Sequence, residues 1–477
     1  RRLSRLCHLF FLGFLVFASV AQSRPLELPG FFSDGMIVQR DRPVKLWGWA
    51  ESGEQVSVSF RGHQQETVAQ AGQWEVELPP GAAGGPFDLE VRAGEESTSI
   101  RDVYVGEVFL LAGQSNARWP IARTDSASAK MIMARADAPL IRQFDHAYRA
   151  ASEPLEDVKR GRWLAGGPER IGLLSLVGFY TAQALRETED GVPVGLIEVA
   201  TGGSKIASWI SRERMRADPA VRPLLESYRA AIPFEQKRHA IARSIYEQQV
   251  EAARKAGRPE PGEPRDIRFG PRDENHPHRP SGYFYGRVAP FAGLPVRAVI
   301  WYQGESDAVN RLGPSHHAAY GRYLEALIED WRATWEAPSL PFCIVQLPSY
   351  GSDEFDYPGI RAGQAEAAEA VADAGLVVTL DTGDPEDIHP VDKRSIGERL
   401  ATMLGAIVRG EHGWERQGPQ LAGFRREGGE VLLEFTNTDS AAVLRNGSSG
   451  TPPLLKLIRG TPHPDLPLTG FQWRDAE

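Results

Sequence analysis

The sequence predicts an α/β protein built on a three-layer α/β/α parallel sheet, with a β-sandwich before it and a small β-rich segment after it. Three observations carry that prediction. From about Val103 onward, continuous apolar runs alternate with amphipathic stretches of helical period, the pattern of a sheet covered on both faces. Before it, from Arg24 to about Asp102, short runs alternate with period two between turns. After each of several apolar runs come small and polar residues able to do chemistry, and right-handed crossovers would gather such strand ends on one edge of the sheet.

Taken in order, Arg1, Arg2 and Arg5 precede an apolar core from Leu9 to Val20 and a small-x-small site at Ser19-Val-Ala21. Residues 1–23 therefore read as a secretory signal peptide, because the apolar run is shorter than the roughly 20 residues that span a bilayer. The expected location is secreted or periplasmic, with no stable membrane insertion after leader cleavage. Cys7 lies in the leader, so Cys343 is left alone in the mature chain and no intramolecular disulfide is expected. Within the apolar run Pro341-Phe-Cys-Ile-Val-Gln-Leu347, Cys343 reads as a buried structural thiol.

Residues 24–102 are the expected β-sandwich domain, from the runs Met36–Gln39, Val44–Trp49, Val56–Phe60, Trp74–Leu78 and Phe87–Val91, with a loop at Pro79–Pro86. Trp47 and Trp49 are read as core rather than sugar-binding aromatics. Residues 103–412 form the expected catalytic domain. Its strands are placed at Val108–Leu111, Val194–Val199, Val296–Trp301, Phe342–Leu347 and Leu376–Leu380, and its helices at Leu174–Thr188, His316–Trp335, Arg361–Ala374 and Lys393–Val408. Residues 212–283 read as an insertion, helical and charged at first and then rich in Pro and Gly, shaping one wall of a cleft. Asn275-His-Pro-His278 within it is read as a solvated loop rather than a metal site, because prolines interrupt the histidines. Residues 413–477 form the expected C-terminal β-rich segment, with Glu430–Phe435 its clearest strand, and Asn446-Gly-Ser448 reads as a turn rather than a glycosylation sequon.

A net charge of −9 argues against a nucleic-acid partner, since a polyanion is repelled without a strong basic patch and none stands out in the sequence. No metal and no cofactor is expected, and the oligomeric state is left open.

Two segments carry the chemistry. Val108-Phe-Leu-Leu-Ala-Gly-Gln-Ser-Asn116 is an apolar run ending in a small-residue turn. A serine on a strand-to-helix turn presents its hydroxyl to the ligand crevice, which makes Ser115 the candidate nucleophile. Asp384-Pro-Glu-Asp-Ile-His-Pro390 follows the last apolar run and supplies His389 as candidate general base. Asp387 is the candidate orienting acid, with Glu386 and Asp384 as alternatives.

Gly113-Gln-Ser-Asn116, Trp301-Tyr-Gln-Gly-Glu-Ser306 and Asp387-Ile-His-Pro390, in that order, resemble the sialate O-acetylesterase family of SGNH-type hydrolases. Ala200-Thr-Gly-Gly-Ser-Lys-Ile-Ala-Ser-Trp209 is similar to the family's glycine block beside the nucleophile. Ala117 and Asp307 depart from the pattern, where methionine and asparagine are usual, and either substitution could reshape the sugar pocket. The resemblance implies an SGNH-hydrolase-like fold and a metal-free serine esterase whose substrate is an O-acetylated carbohydrate. An acetyl-enzyme would form on Ser115. The oxyanion would be held by backbone N–H groups of Ser115 and of Gly202 or Gly203, and by the Gln303 side chain, which by itself reads equally well as a satisfied buried amide. Glu305 is expected to bind loops together, because a charge beside the oxyanion would oppose catalysis; Asn116 is placed with it near the substrate. Trp209, Trp119 and Tyr302 are candidates to line the sugar site. Two rival functions are a non-catalytic carbohydrate-binding protein on the same fold and a metal-dependent deacetylase.

Overall fold

The computed structural model describes residues 25–124, 129–132, 138–147, 149–158, 161–166, 170–414, 420–427, 430–436 and 455–457. The leader with Cys7 and the Asn446-Gly-Ser448 turn lie outside the described residues.

Strands β1 (Ile37–Gln39), β2 (Val44–Trp49), β3 (Gln55–Phe60), β4 (His63–Val68), β5 (Gln73–Leu78) and β6 (Gly84–Ala93) occupy the N-terminal part. Strand β2 pairs antiparallel with β5, while β3 pairs antiparallel with both β4 and β6. The alternation expected from the sequence appears directly in β5, where Trp74, Val76 and Leu78 are buried and the residues between them exposed. Strand β4 escaped the sequence reading because almost every residue in His63–Val68 is exposed, leaving no apolar alternation to detect. Trp49 is buried, and Trp47 meets Phe32 edge-to-face with centroids 4.9 Å apart, so both serve packing.

Strand β7 (Glu96–Gly113) is the spine of the molecule. Its first half pairs antiparallel with β6 and parallel with β1, and its second half has parallel neighbours on both sides. The expected boundary at 102/103 therefore falls inside one unbroken strand. The buried Glu107 holds the junction, accepting from Arg40 Nε at 2.5 Å, Arg297 Nε at 2.7 Å and Gln39 Nε2 at 2.9 Å.

The sheet continues with β8 (Ala138–Asp145), β9 (Arg162–Gly166), β10 (Val194–Glu198), β11 (Ala298–Tyr302), β12 (Phe342–Val345) and β13 (Ala374–Val377), in the order β13-β12-β11-β7-β10-β8-β9. All neighbours pair parallel except β8 and β9, so the sheet is mixed. Strands β10, β11 and β12 are buried at every position, which is why they read as continuous apolar runs. Strands β8 and β9 gave no such signal, since Arg142, Gln143 and Arg162 interrupt them.

Helices α1 (Ser115–Arg118), α2 (Leu176–Thr188), α3 (Arg222–Lys255), α4 (Tyr320–Thr334), α5 (Tyr357–Ala370) and α6 (Lys393–Val408) connect these strands. Four of them pack in pairs, α2 with α6 and α4 with α5. Gly397 permits the α2–α6 approach, because a Cβ there would stand 2.6 Å from the Tyr180 Cβ. Trp301, Trp331 and Trp209 are fully buried and meet edge-to-face beneath the sheet's carboxyl end. Cys343 is fully buried on β12, and burial pushes its thiol far up from the ordinary cysteine value, which removes it as a nucleophile. Beyond His412, β14 (Gln420–Glu427), β15 (Glu430–Thr436) and β16 (Leu455–Leu457) form a separate three-stranded sheet. Among the described residues, no helix is long and apolar enough to cross a membrane.

Candidate active site

The carboxyl ends of β10, β7, β11 and β13 deliver the residues that the sequence singled out. At the end of β7 the chain turns sharply through Gly113, which adopts φ of 131° and lies so close to β11 that a Cβ would meet the Tyr302 carbonyl oxygen. Only glycine fits there, and the turn places Ser115 at the start of α1. From the last strand end, His389 reaches back so that Nε2 stands 2.9 Å from Ser115 Oγ. Serine and imidazole are 274 residues apart in sequence and within hydrogen-bond distance in space.

On the other side of the ring, Asp387 Oδ1 lies 3.6 Å from His389 Nδ1 and accepts the His389 backbone N–H at 2.8 Å. Among the residues of this loop, Asp387 is the carboxylate that faces the imidazole. The Glu386 and Asp387 N–H groups instead bond to Asp384 Oδ1, which stabilises the curl of the loop. Burial holds His389 below the ordinary imidazole value; Asp387 opposes that shift, and Lys393 and Arg123 reinforce it. A neutral imidazole at neutral pH is the protonation state a general base requires. Trp119 stacks on the ring at 4.5 Å and 26°, and Arg123 sits 5.4 Å over Trp119.

Gly202 lies at the end of β10 against Ser115, where an added Cβ would be 3.4 Å from the serine Cβ. Its neighbour Gly203 has φ of 78°. The glycine block therefore packs directly against Ser115. Gln303 does something different. Its amide nitrogen donates to Asp307 Oδ2 at 2.7 Å and to the Ser204 carbonyl at 3.1 Å, and its oxygen accepts from Tyr320 at 2.7 Å. It is a fully buried, saturated amide that braces the glycine block, so the oxyanion role expected for its side chain does not match this geometry. Asp307 is fully buried and also receives the Ile206 N–H at 2.8 Å, and Ala117 is fully buried, so neither departure from the family pattern lines the pocket.

Trp209 and Tyr302 are fully buried as well, and of the expected sugar-facing aromatics Trp119 is the one on the cleft wall. Asn116 and Glu305 are buried side by side, with Asn116 Nδ2 donating to Glu305 Oε1 at 2.5 Å. Burial raises Glu305 to about 7.

The cleft over Ser115 has a volume of about 840 Å³ and is lined by Arg118, Arg123, Arg149, Arg268 and Arg279, with no carboxylate among the described residues that line it. Arg118 is held from behind by the buried Glu198, with Nη1 to Oε2 at 3.0 Å. The 212–283 segment contributes Arg268, Phe269, Asn275, Pro277, His278, Arg279 and Tyr283 to the wall. The loop expected to be solvated is therefore part of the cleft, and His276 in it is buried. Among the described residues, no group of three or more His, Cys, Asp or Glu side chains is arranged to hold a metal ion. The arginines were invisible as a site in the sequence, because each is an ordinary surface cation until the fold collects them.

The sequence profile of the family described as carbohydrate esterase, sialic acid-specific acetylesterase matches residues 105–256 and 286–405, more than half of the chain. The chain belongs to this family. The protein is therefore a carboxylic ester hydrolase by descent. It is 26% identical over 448 residues to the sialate O-acetylesterase of Mus musculus, covering 85% of this chain and 78% of the relative. It is also 26% identical over 435 residues to the sialate O-acetylesterase of Homo sapiens, covering 82% and 72%. The crystal structure of a carbohydrate acetylesterase from Xanthomonas citri superposes with a TM-score of 0.70 at 29% identity, covering 87% of this chain and 83% of that one. Both blocks of the profile match lie on the elements that build the site, the first containing Ser115 and the glycine block and the second Gln303, Glu305 and His389.

Proposed function

We propose that the protein is an exported serine esterase that removes O-acetyl groups from an anionic carbohydrate by a Ser115–His389–Asp387 mechanism. The observation that carries this reading is the 2.9 Å contact between His389 Nε2 and Ser115 Oγ at the floor of the cleft. His389 takes the Ser115 hydroxyl proton as Oγ bonds to the acetyl carbonyl carbon. The resulting oxyanion is held by backbone N–H groups of Ser115 and of Gly202 or Gly203, and losing one such donor typically lowers rate on the order of a hundred- to a thousandfold. Collapse breaks the bond to the sugar oxygen, which receives the proton from His389. Water, deprotonated by the same imidazole, then attacks the acetyl-enzyme and releases acetate.

The arginine lining supports an anionic substrate, because a cleft of one charge sign concentrates the opposite charge even when the whole chain carries −9. The acidic sugar in the names of the mammalian relatives fits that field. We read the parallel sheet and its helix pairs as the SGNH-hydrolase layout, residues 24–102 as a β-sandwich module, 103–412 as the catalytic domain, 413–477 as an accessory segment, and residues 1–23 as the export leader.

The test is acetate release from a small aryl acetate and from a panel of neutral and anionic O-acetylated sugars, with the wild type, the wild type treated with chelator, and Ser115→Ala. The expected result is chelator-insensitive release that falls roughly 10⁴- to 10⁶-fold in a folded Ser115→Ala protein, with anionic sugars preferred. Chelator-sensitive release that survives in Ser115→Ala would favour a metal-dependent deacetylase. Sugar binding without release from any ester would leave a carbohydrate-binding protein.

A further inference from the structure

Helix α6 begins four residues after His389, and its first residue is a lysine whose side chain points inward. Lys393 is 1% exposed, and its Nζ donates to Asn116 Oδ1 at 2.7 Å and to the Pro390 carbonyl at 2.8 Å. Asn116 in turn donates through Nδ2 to Glu305 Oε1 at 2.5 Å and to the Ile388 carbonyl at 3.1 Å. One amide and one amine thus join the residue after the nucleophile, the residues on both sides of the general base, and the Gly-Glu-Ser turn after β11. A lysine is almost never buried without a specific set of partners, because desolvating its amine is costly unless hydrogen bonds replace water.

We infer that Lys393 is a positioning residue of the ester-cleaving site, which latches the His389 loop to the Ser115 turn through Asn116 and places a positive charge behind the imidazole. The inference rests on the Ser115–His389 reading above. It assigns Lys393 two separable effects. The first is geometric: the chain on either side of His389, at Ile388 and Pro390, is tied to the Asn116–Lys393 pair, so the imidazole cannot drift from Ser115 Oγ without breaking those bonds. The second is electrostatic. The charged groups around Lys393 are Glu305 from the β11 turn, Asp387 from the histidine loop and Asp392 at its own helix cap, with the Tyr302 ring 5.7 Å from Nζ. Those facing His389 are Asp387, Lys393 and Arg123.

Burial lowers Lys393 to about 7 and raises Glu305 to about 7. Below that pH the lysine is charged and the glutamate neutral. Across the acid range in which His389 protonates, the lysine charge is therefore not cancelled by Glu305, and it opposes the imidazolium.

The experiment measures kcat, KM and the pH profile of kcat/KM on an aryl acetate for Lys393→Met and Lys393→Arg, with thermal unfolding of each. For Lys393→Met we expect kcat to fall at least tenfold with KM within about threefold, and the acid limb of kcat/KM to move up by roughly half a pH unit as the opposing charge disappears. Lys393→Arg keeps the charge, and its acid limb should stay at the wild-type position even if its kcat is reduced. A merely structural lysine would lower the folded fraction of both variants and leave the acid limb of the remaining enzyme in place, and that result overturns the inference. An unchanged kcat in folded Lys393→Met overturns it too. Failure of the underlying mechanism is distinguishable, because the wild type itself would then show no Ser115-dependent hydrolysis.

Discussion

At the scale of single residues, the proposed Ser115–His389 pair is close and Asp387, its proposed third member, is loosely held. Asp387 stands 3.6 Å from the imidazole with 57% of its side chain exposed, so solvent screens its hold on the ring. Asp387→Asn should therefore reduce kcat by much less than the roughly 10⁴-fold seen when a buried triad aspartate is amidated, and steady-state kinetics on an aryl acetate checks this. The pH profile follows from His389. Its folded value is lowered, so the neutral, competent form persists to lower pH, and the acid limb of kcat/KM should fall below about 6.5, the ordinary imidazole value. An acid limb above that value would mean that another group controls the reaction. Ser115, His389 and Asp387 were legible because each sits in a short segment whose local composition announces a turn. Lys393 was read only as the first residue of a helix, since nothing in its neighbourhood says that its amine faces inward. Gln303 shows the opposite case. An amide at a strand end suits an oxyanion hole or a core network equally, and only its partners decide.

At the scale of elements, local signals translated well where burial is uniform. Helix α6 was placed at its observed limits, and Asp392 caps it by accepting the Ser395 N–H. The stretch expected to be one helix from His316 to Trp335 is instead a short turn of helix, Pro314–Ala318, followed by α4, with Ala319 between them. Ser175 caps α2 by accepting the Gly178 N–H at 3.1 Å, and it donates to the Ala117 carbonyl at 2.6 Å, which ties α2 to α1. Ser175→Ala should destabilise the protein by about 1–2 kcal/mol through loss of the cap and a buried carbonyl left unpaired. Urea unfolding measures the loss, and a change below the error of that method would show that water replaces the hydroxyl. Strands β4, β8 and β9 were missed for a common reason: polar residues on one or both faces hide them from any apolar period.

At the scale of the whole molecule, β7 makes the N-terminal strands and the parallel sheet mechanically continuous, and Glu107 locks that junction. Its side chain is fully buried while Arg40 and Arg297 are 22% and 13% exposed, so solvent softens the loss when it is removed. Glu107→Ala should cost about 3 kcal/mol, the lower end for breaking a buried ion pair, and should lower the denaturant midpoint of the catalytic sheet and the N-terminal strands together. Separate transitions for the two regions would show that they fold independently.

What the sequence by itself determined is whatever depends on neighbours along the chain: the alternating and continuous apolar runs, the serine turn, the histidine loop and the charged insertion. Each follows from backbone geometry repeated over a few residues. The tertiary structure alone decided which polar groups meet. Lys393 finds Asn116 across 277 residues, Gln303 spends its amide on Asp307 and Ser204, and arginines from separate segments face one cleft. Those choices rest on desolvation and hydrogen-bond completion in the folded interior, where a polar group must take whichever partner the packing brings within reach.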